Sequence, residues 1–277
     1  MGFKKASGNK KVNGIDLYYE FYAHPSSKNT IVLIHGFLSS SFSYRRLIPL
    51  LKNDFNVFSI DFPPFGKSGK SLRYTYSYDN IAQTIIHFIK MMGIDKIIIM
   101  GHSMGGQISL NIAYKQPTLV EKVILLCSSA YLQRAKRSLI FVSYFPFFYL
   151  YIKYWLGKSG VKQNLKNVIY DHTLIDHEMI SGYLTPFQQN DIFRALTRMI
   201  RHREGDLSSE KLQTIETPCL LIWGEDDKIV PLNVGEKLNK ELPNSQIVIF
   251  KETGHLLPEE RPLDVFRHVL KFVNETN

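Results

Sequence analysis

Residues 96–108 read Lys-Ile-Ile-Ile-Met-Gly-His-Ser-Met-Gly-Gly-Gln-Ile, and no other stretch narrows the fold so far. Ile97, Ile98, Ile99 and Met100 form an unbroken apolar run rich in β-branched residues, the pattern of a strand buried on both faces of a parallel sheet. From Gln107 onward, Ile108, Leu110, Ile112 and Ala113 read as a largely buried helix. Between strand and helix lies Gly-x-Ser-x-Gly, made by Gly101, His102, Ser103, Met104 and Gly105. In that context the motif turns the chain sharply, holds the serine in a strained conformation and lifts its hydroxyl above the sheet. The glycines two residues before and after are needed because a side chain there would collide with neighbouring backbone. The helix that follows starts with free amides, which favour negative charge beside Ser103.

Strand and helix signals alternate on either side of this turn. Asn13-Gly14, followed by the alternating run 15–22, is a type I′ hairpin signal that opens the sheet. Buried strands are expected at 30–34, 56–60, 123–127, 219–223 and 246–250, and helices at 44–52, 78–92, 233–241 and 262–274. This alternation argues an α/β fold with a mostly parallel central sheet flanked by helices. From 131 to 213 it stops: no strand pattern is found, and aromatic helices with short polar breaks take over. We read 131–213 as a helical cap inserted between a first core segment, 1–130, and a second, 214–277. Nine aromatic residues crowd 141–155, broken by Pro146. They are expected either to pack cap against core or to wall an apolar pocket.

A serine hydroxyl is a poor nucleophile until a histidine takes its proton, and that histidine needs a carboxylate to fix its tautomer. The run after the strand at 219–223 supplies Glu225, Asp226 and Asp227, and the run after 246–250 supplies His255. Both lie beyond the C-terminal ends of strands, where open α/β sheets bind ligands. The chain order of serine, acid and histidine suits such a sheet. Among the other histidines, His87 and His268 fall within helices as surface or boundary residues, and His102 reads as a packing residue inside the turn.

Over about 12–129 and from 217 to the C-terminus the sequence resembles α/β-hydrolase-fold proteins, in the capped branch of carboxylesterases, lipases and C–C bond hydrolases. Four motifs in order carry the resemblance: His35-Gly36-Phe37, the Ser103 turn, Gly224-x-x-Asp227-x-x-x-Pro231, and Gly254-His255. The resemblance implies Asp227 as the acid, leaving Asp226 as a solvated turn residue. It also implies an oxyanion hole from the backbone amides of Phe37 and Met104, with His35, Gly36, Gly101 and Gly105 shaping the loops. One position departs from the family pattern. The loop from Asp61 normally runs Asp-x-x-Gly-x-Gly-x-Ser, and here Pro64 replaces the first glycine, either stiffening the loop or altering a pocket wall.

The chemistry implied is acyl transfer through Ser103, His255 and Asp227, which calls for no metal and no organic cofactor. A carboxylesterase acting on small or medium apolar esters is the leading expectation. A C–C bond hydrolase of ring-cleavage products, a cofactor-free perhydrolase and a ligand-sensing protein are rivals on the same fold.

Composition narrows the partners. The formal charge is +9, and residues 131–212 hold 12 Lys or Arg against 7 Asp or Glu. With the aromatic run, this allows weak contact between the cap and an anionic membrane surface. Nucleic acid is not expected, since no zinc-ligand cluster, helix-turn-helix or RNP-type motif is found. Cys127 and Cys219 sit in apolar runs and read as core residues. Residues 1–13 are polar with no apolar h-region, position 6 is Ala6, and no apolar run reaches about 18 residues. A cytoplasmic protein is therefore expected.

Overall fold

The protein is described here by a computed structural model covering residues 4–158 and 160–275. Asn13 and Gly14 take positive φ, 49° and 78°, as a type I′ turn demands. They join β1 (Lys4–Val12) to β2 (Ile15–Ala23) in an antiparallel hairpin. The chain then enters β3 (Thr30–Ile34), every residue of which is buried. The helix expected at 44–52 is shorter: a 3-10 turn at Ser41–Tyr44 precedes a single α-helical turn, α1 (Ile48–Leu51). Pro49 is the reason, because proline fits only the first turn of a helix and cannot continue one from residue 44.

Alternation follows through β4 (Asn56–Asp61), α2 (Tyr78–Met91), β5 (Ile97–His102), α3 (Met104–Lys115) and β6 (Val120–Leu126). Ser77 caps α2 by accepting from the Asn80 amide at 3.1 Å, and Gly93 ends it with φ of 72°. Next come the insertion helices α4 (Arg137–Val142), α5 (Phe148–Gly157), α6 (Gly160–Val168), α7 (His177–Leu184), α8 (Asn190–His202) and α9 (Ser209–Leu212). The core resumes with β7 (Cys219–Gly224), α10 (Leu232–Glu241), β8 (Ser245–Phe250), α11 (Leu257–Glu260) and α12 (Pro262–Asn274).

The eight strands form one sheet in the order β1-β2-β4-β3-β5-β6-β7-β8. β1, β2 and β4 pair antiparallel in succession, and all other neighbours are parallel. β3, β5 and β7 are wholly buried, as strands covered by helices on both faces must be. Each such Ile, Leu or Val contributes roughly 1.5–3 kcal/mol by leaving water. The strand order switches direction at β3, with β4 on one side and β5 on the other, and β3, β5, β6 and β7 lie side by side and parallel, so their C-terminal loops converge on one edge.

The insertion leaves and rejoins the core through a narrow neck. Gln133 bridges Gly205, the Asp206 amide donates to the Leu132 carbonyl at 2.8 Å, and the Leu132 amide donates to Asp206 Oδ2 at 3.0 Å. Leu165, Ile169, Met179 and Tyr183 form a small core of their own together with Leu256. Arg45 adds ion pairs to Glu178 on α7 at 2.8 Å and to Glu259 on α11 at 3.0 Å.

The aromatic run at 141–155 does mostly neither of the things expected of it. Phe148 is buried and Tyr149 half-buried, but the other seven rings are 57–69% exposed. A helix laid on a core buries one stripe, and in α5 that stripe is Phe148, Tyr149, Ile152 and Leu156. No helix among the described residues is long and apolar enough to cross a membrane.

Candidate active site

Ser103 sits between β5 and α3 with φ 52° and ψ −120°, a conformation that costs a non-glycine residue about 1–3 kcal/mol. Backbone bonds hold it there: its amide donates to the Leu126 carbonyl at 2.9 Å, and its carbonyl accepts from Gly106 at 2.9 Å and Ser129 at 3.0 Å. The flanking glycines are points of contact. A Cβ on Gly101 would lie 2.3 Å from the Gly105 carbonyl oxygen, and one on Gly105 would lie 2.1 Å from that of Ile34. Gly36 lets the loop after β3 approach to where an added Cβ would stand 3.2 Å from the Ser103 Cβ.

Asp227 follows β7 and is buried, whereas Asp226 beside it is exposed. Asp227 Oδ1 accepts the amides of Ile229 at 2.8 Å and Val230 at 2.9 Å, and Oδ2 accepts from His255 Nδ1 at 2.7 Å. Burial opposes its ionisation, but the His255 hydrogen bond and charge, joined by the two amides, hold the carboxyl below the ordinary carboxylate range. Because Oδ2 of an ionised carboxylate only accepts, His255 donates from Nδ1, which turns its Nε2 away from Asp227.

His255 is fixed from two further sides. Its amide donates to the Val168 carbonyl at the end of α6, 2.7 Å away. Its carbonyl accepts from His102 Nε2 at 2.8 Å, with the two rings 4.8 Å apart. His102 is held neutral: burial, reinforced by the nearby His255, takes its pKa down to about 3. His102 therefore does more than pack, since it anchors the backbone of His255.

Ser103 and His255 line one cavity of about 350 Å3. Its walls come from the insertion (Leu156, Val161, Leu165, Phe187) and from the core (Leu38, Leu256), with Asn164 and Asn167 as polar points. No Lys, Arg, Asp or Glu is among its described lining residues. The Ser103 hydroxyl takes no side-chain hydrogen bond among the described residues, and such bonds tighten when a substrate binds. The Phe37 amide forms no backbone hydrogen bond among the described residues, and Met104 opens α3, where the first amides have no partner within the helix.

Residues 29–262 match the family described as alpha/beta hydrolase fold. The chain belongs to that family. An uncharacterized hydrolase of Bacillus subtilis (strain 168), YugF, is 50% identical over 262 residues, 95% of this chain and 96% of the relative. A 2-hydroxy-6-oxo-6-(2'-aminophenyl)hexa-2,4-dienoic acid hydrolase of Metapseudomonas resinovorans is 27% identical, covering 91% of this chain and 87% of its own. Among solved structures, the 2-hydroxy-6-oxo-6-phenylhexa-2,4-dienoate hydrolase of Rhodococcus sp. strain RHA1 superposes with a TM-score of 0.83 at 20% identity, over 99% of this chain and 100% of that one.

Within this alpha/beta hydrolase, Asp61 ties two loops together behind the site. Its Oδ1 accepts from the Ser41 amide at 2.7 Å and the Ser41 hydroxyl at 2.8 Å, and Oδ2 accepts from the Lys67 amide at 2.8 Å. Pro64 is buried and lies outside the cavity lining, so it bears on the loop and not on the pocket wall. The loop carries Phe65, whose ring packs edge-on against Phe37 at 5.5 Å. His35 is buried against Phe62, with ring centroids 4.4 Å apart, and its Nδ1 bonds the Gly36 carbonyl at 2.8 Å.

Cys127 Sγ, Asp227 and His255 place donor atoms within 4.8 Å of one another, which is metal-ligand spacing. The chemistry does not suit an ion. Asp227 Oδ2 and His255 Nδ1 are committed to each other, and burial pushes the Cys127 thiol up, away from the thiolate that a metal needs. Sequence reasoning missed the support given by Val168 and His102. Neither carries a local signal, because each meets His255 across a long separation in the chain.

Proposed function

We propose that this protein is a serine hydrolase cleaving small to medium apolar carboxylic esters. The observation that carries the reading is the convergence of Ser103 and the Asp227–His255 pair on a 350 Å3 cavity with apolar walls and no charged described lining. In the proposed reaction His255 Nε2 takes the Ser103 proton as Oγ attacks the ester carbonyl. The carbonyl oxygen gains the negative charge and is met by the amides of Phe37 and Met104, each such donor contributing about 2.7–4 kcal/mol to the transition state. Asp227 stabilises the imidazolium, which then protonates the leaving alcohol. Water, activated by His255 in the same way, attacks the acyl-serine and releases the acid.

C–C bond cleavage is the second reading, favoured by relatives and structural neighbours that bear the names of dienoate hydrolases. A dienoate brings a carboxylate into the site, and the described lining offers no Lys or Arg to receive it. That places the uncharged ester first. Hydrolysis of p-nitrophenyl esters from acetate to palmitate, by wild type and Ser103→Ala, tests the proposal. Serine-dependent turnover with a short- to medium-chain optimum is expected. Cleavage of a 2-hydroxy-6-oxo-dienoate by a wild type inert toward every ester would overturn it.

A further inference from the structure

The insertion presents an uncovered aromatic face. On α4, α5 and the turn between them, Phe141, Phe147, Tyr154 and Trp155 are 62–69% exposed. Lone exposed apolar residues are ordinary, but so many large rings left exposed along two consecutive helices and their connecting turn mark an interaction surface.

Charge identifies the partner. The 49 residues between Glu121 and Asp171 contain 8 Lys or Arg and no Asp or Glu. Lys136 and Arg137 lead into α4 and Lys158 closes α5; all three are exposed and have no ion-pair partner among the described residues. A second copy set against this face would oppose like charges. An anionic bilayer suits both features, with rings at headgroup depth and cations on lipid phosphate and carboxylate. The face also adjoins the active-site cavity. Trp155 is exposed to solvent while Leu156, the next residue on α5, lines the cavity.

We infer that the α4–α5 face docks the protein on an anionic lipid surface, bringing the cavity wall to the lipid interface. Docking goes beyond the esterase reading and does not rest on it.

The test uses vesicles of phosphatidylcholine with and without about three-tenths phosphatidylserine. Co-sedimentation and tryptophan emission are read at low and high salt. Trp223 is fully buried, so a change in emission on binding reports Trp155. Wild type is expected to bind the phosphatidylserine vesicles at low salt with a blue shift and to release at high salt. Each surface cation contributes about a fivefold change in partitioning, so a Lys136→Glu, Arg137→Glu, Lys158→Glu variant should lose at least about a hundredfold. A Tyr154→Ser, Trp155→Ser variant should also bind more weakly. Both should keep the wild-type circular dichroism and soluble-ester turnover, which separates failure of docking from failure of catalysis. Wild type that ignores anionic vesicles at low salt, or a charge-reversed variant that binds equally well, would overturn the inference. So would a dimer by light scattering whose Trp155 emission is already shifted without lipid, since a second copy would then cover the face.

Discussion

Replacing Asp227 with asparagine tests the hydrogen-bond geometry more sharply than deleting the side chain. Oδ1 faces two amide donors, Ile229 at 2.8 Å and Val230 at 2.9 Å, so the asparagine must keep its oxygen there. Its NH2 group then takes the place of Oδ2, 2.7 Å from His255 Nδ1. Two donors cannot share that bond, so His255 must move its proton to Nε2 and accept at Nδ1. The other ring nitrogen, the base of the proposed reaction, no longer carries a free lone pair. A loss of about ten-thousandfold in kcat follows, or about 5.5 kcal/mol at about 1.36 kcal/mol per tenfold. Stability should fall by no more than about 1–3 kcal/mol, because the oxygen keeps both amides and one N–H keeps His255 Nδ1, leaving a single N–H without a partner. The assay is kcat on the best p-nitrophenyl ester, paired with urea denaturation. Asp226→Asn, at an exposed position, is the control and should be silent. Activity within tenfold of wild type in a folded Asp227→Asn protein would refute the assignment of tautomer and acid together.

Gly105→Ala should cost more than about 4 kcal/mol or prevent folding, because its Cβ would meet the Ile34 carbonyl oxygen at 2.1 Å; Gly8→Ala, with nothing within 4 Å, should be neutral in the same melt. Arg45→Ala strips a partner from Glu259, whose side chain is fully buried, and should destabilise by about 3 kcal/mol, a fall of roughly 6–12 °C in Tm. Glu178→Gln, at a far more exposed end of the same network, should shift Tm by only a few degrees at most. Asp206, in the neck of the insertion, has its pKa pushed up to about 6 by burial. Between its ordinary value near 3.8 and about 6 the folded protein holds a proton that the unfolded chain has lost, so stability falls as pH rises through that window. Denaturation curves at pH 4 and pH 8 should show Asp206→Asn gaining up to about 3 kcal/mol on wild type at the higher pH and little at the lower.

Most of the fold was legible because its signals are local. The strands predicted at 30–34, 56–60, 219–223 and 246–250 differ from the observed ones by at most one residue at an end, and 262–274 matches α12. Buried parallel strands are short apolar runs wherever they occur, so no tertiary knowledge is needed to find them. The helix expected at 44–52 failed at Pro49, where a local rule outweighed an apolar pattern. The aromatic run at 141–155 was ambiguous for a different reason. A helix that is apolar nearly all round has no periodicity to say which side faces in, and only the packed neighbours of α5 distinguish Phe148 from Phe147.

The sequence by itself determined the sharp turn at Ser103 and set an acidic run, Glu225 to Asp227, and His255 just beyond strand ends. The turn follows because the clash that forbids a side chain at Gly101 is with Gly105, only four residues away. The acidic run and the histidine follow because they lie within a few residues of strand ends that can be read locally, while burial and the bond to His255 separate Asp227 from Asp226. Only the tertiary structure decided what holds His255, what walls the cavity and which aromatic rings face water. His102 reaches the His255 carbonyl across 153 residues of chain, and Val168 meets its amide across the whole insertion boundary. Such contacts depend on where separate elements come to rest against one another, and that is set by the packing of the whole molecule, not by the neighbours in the chain.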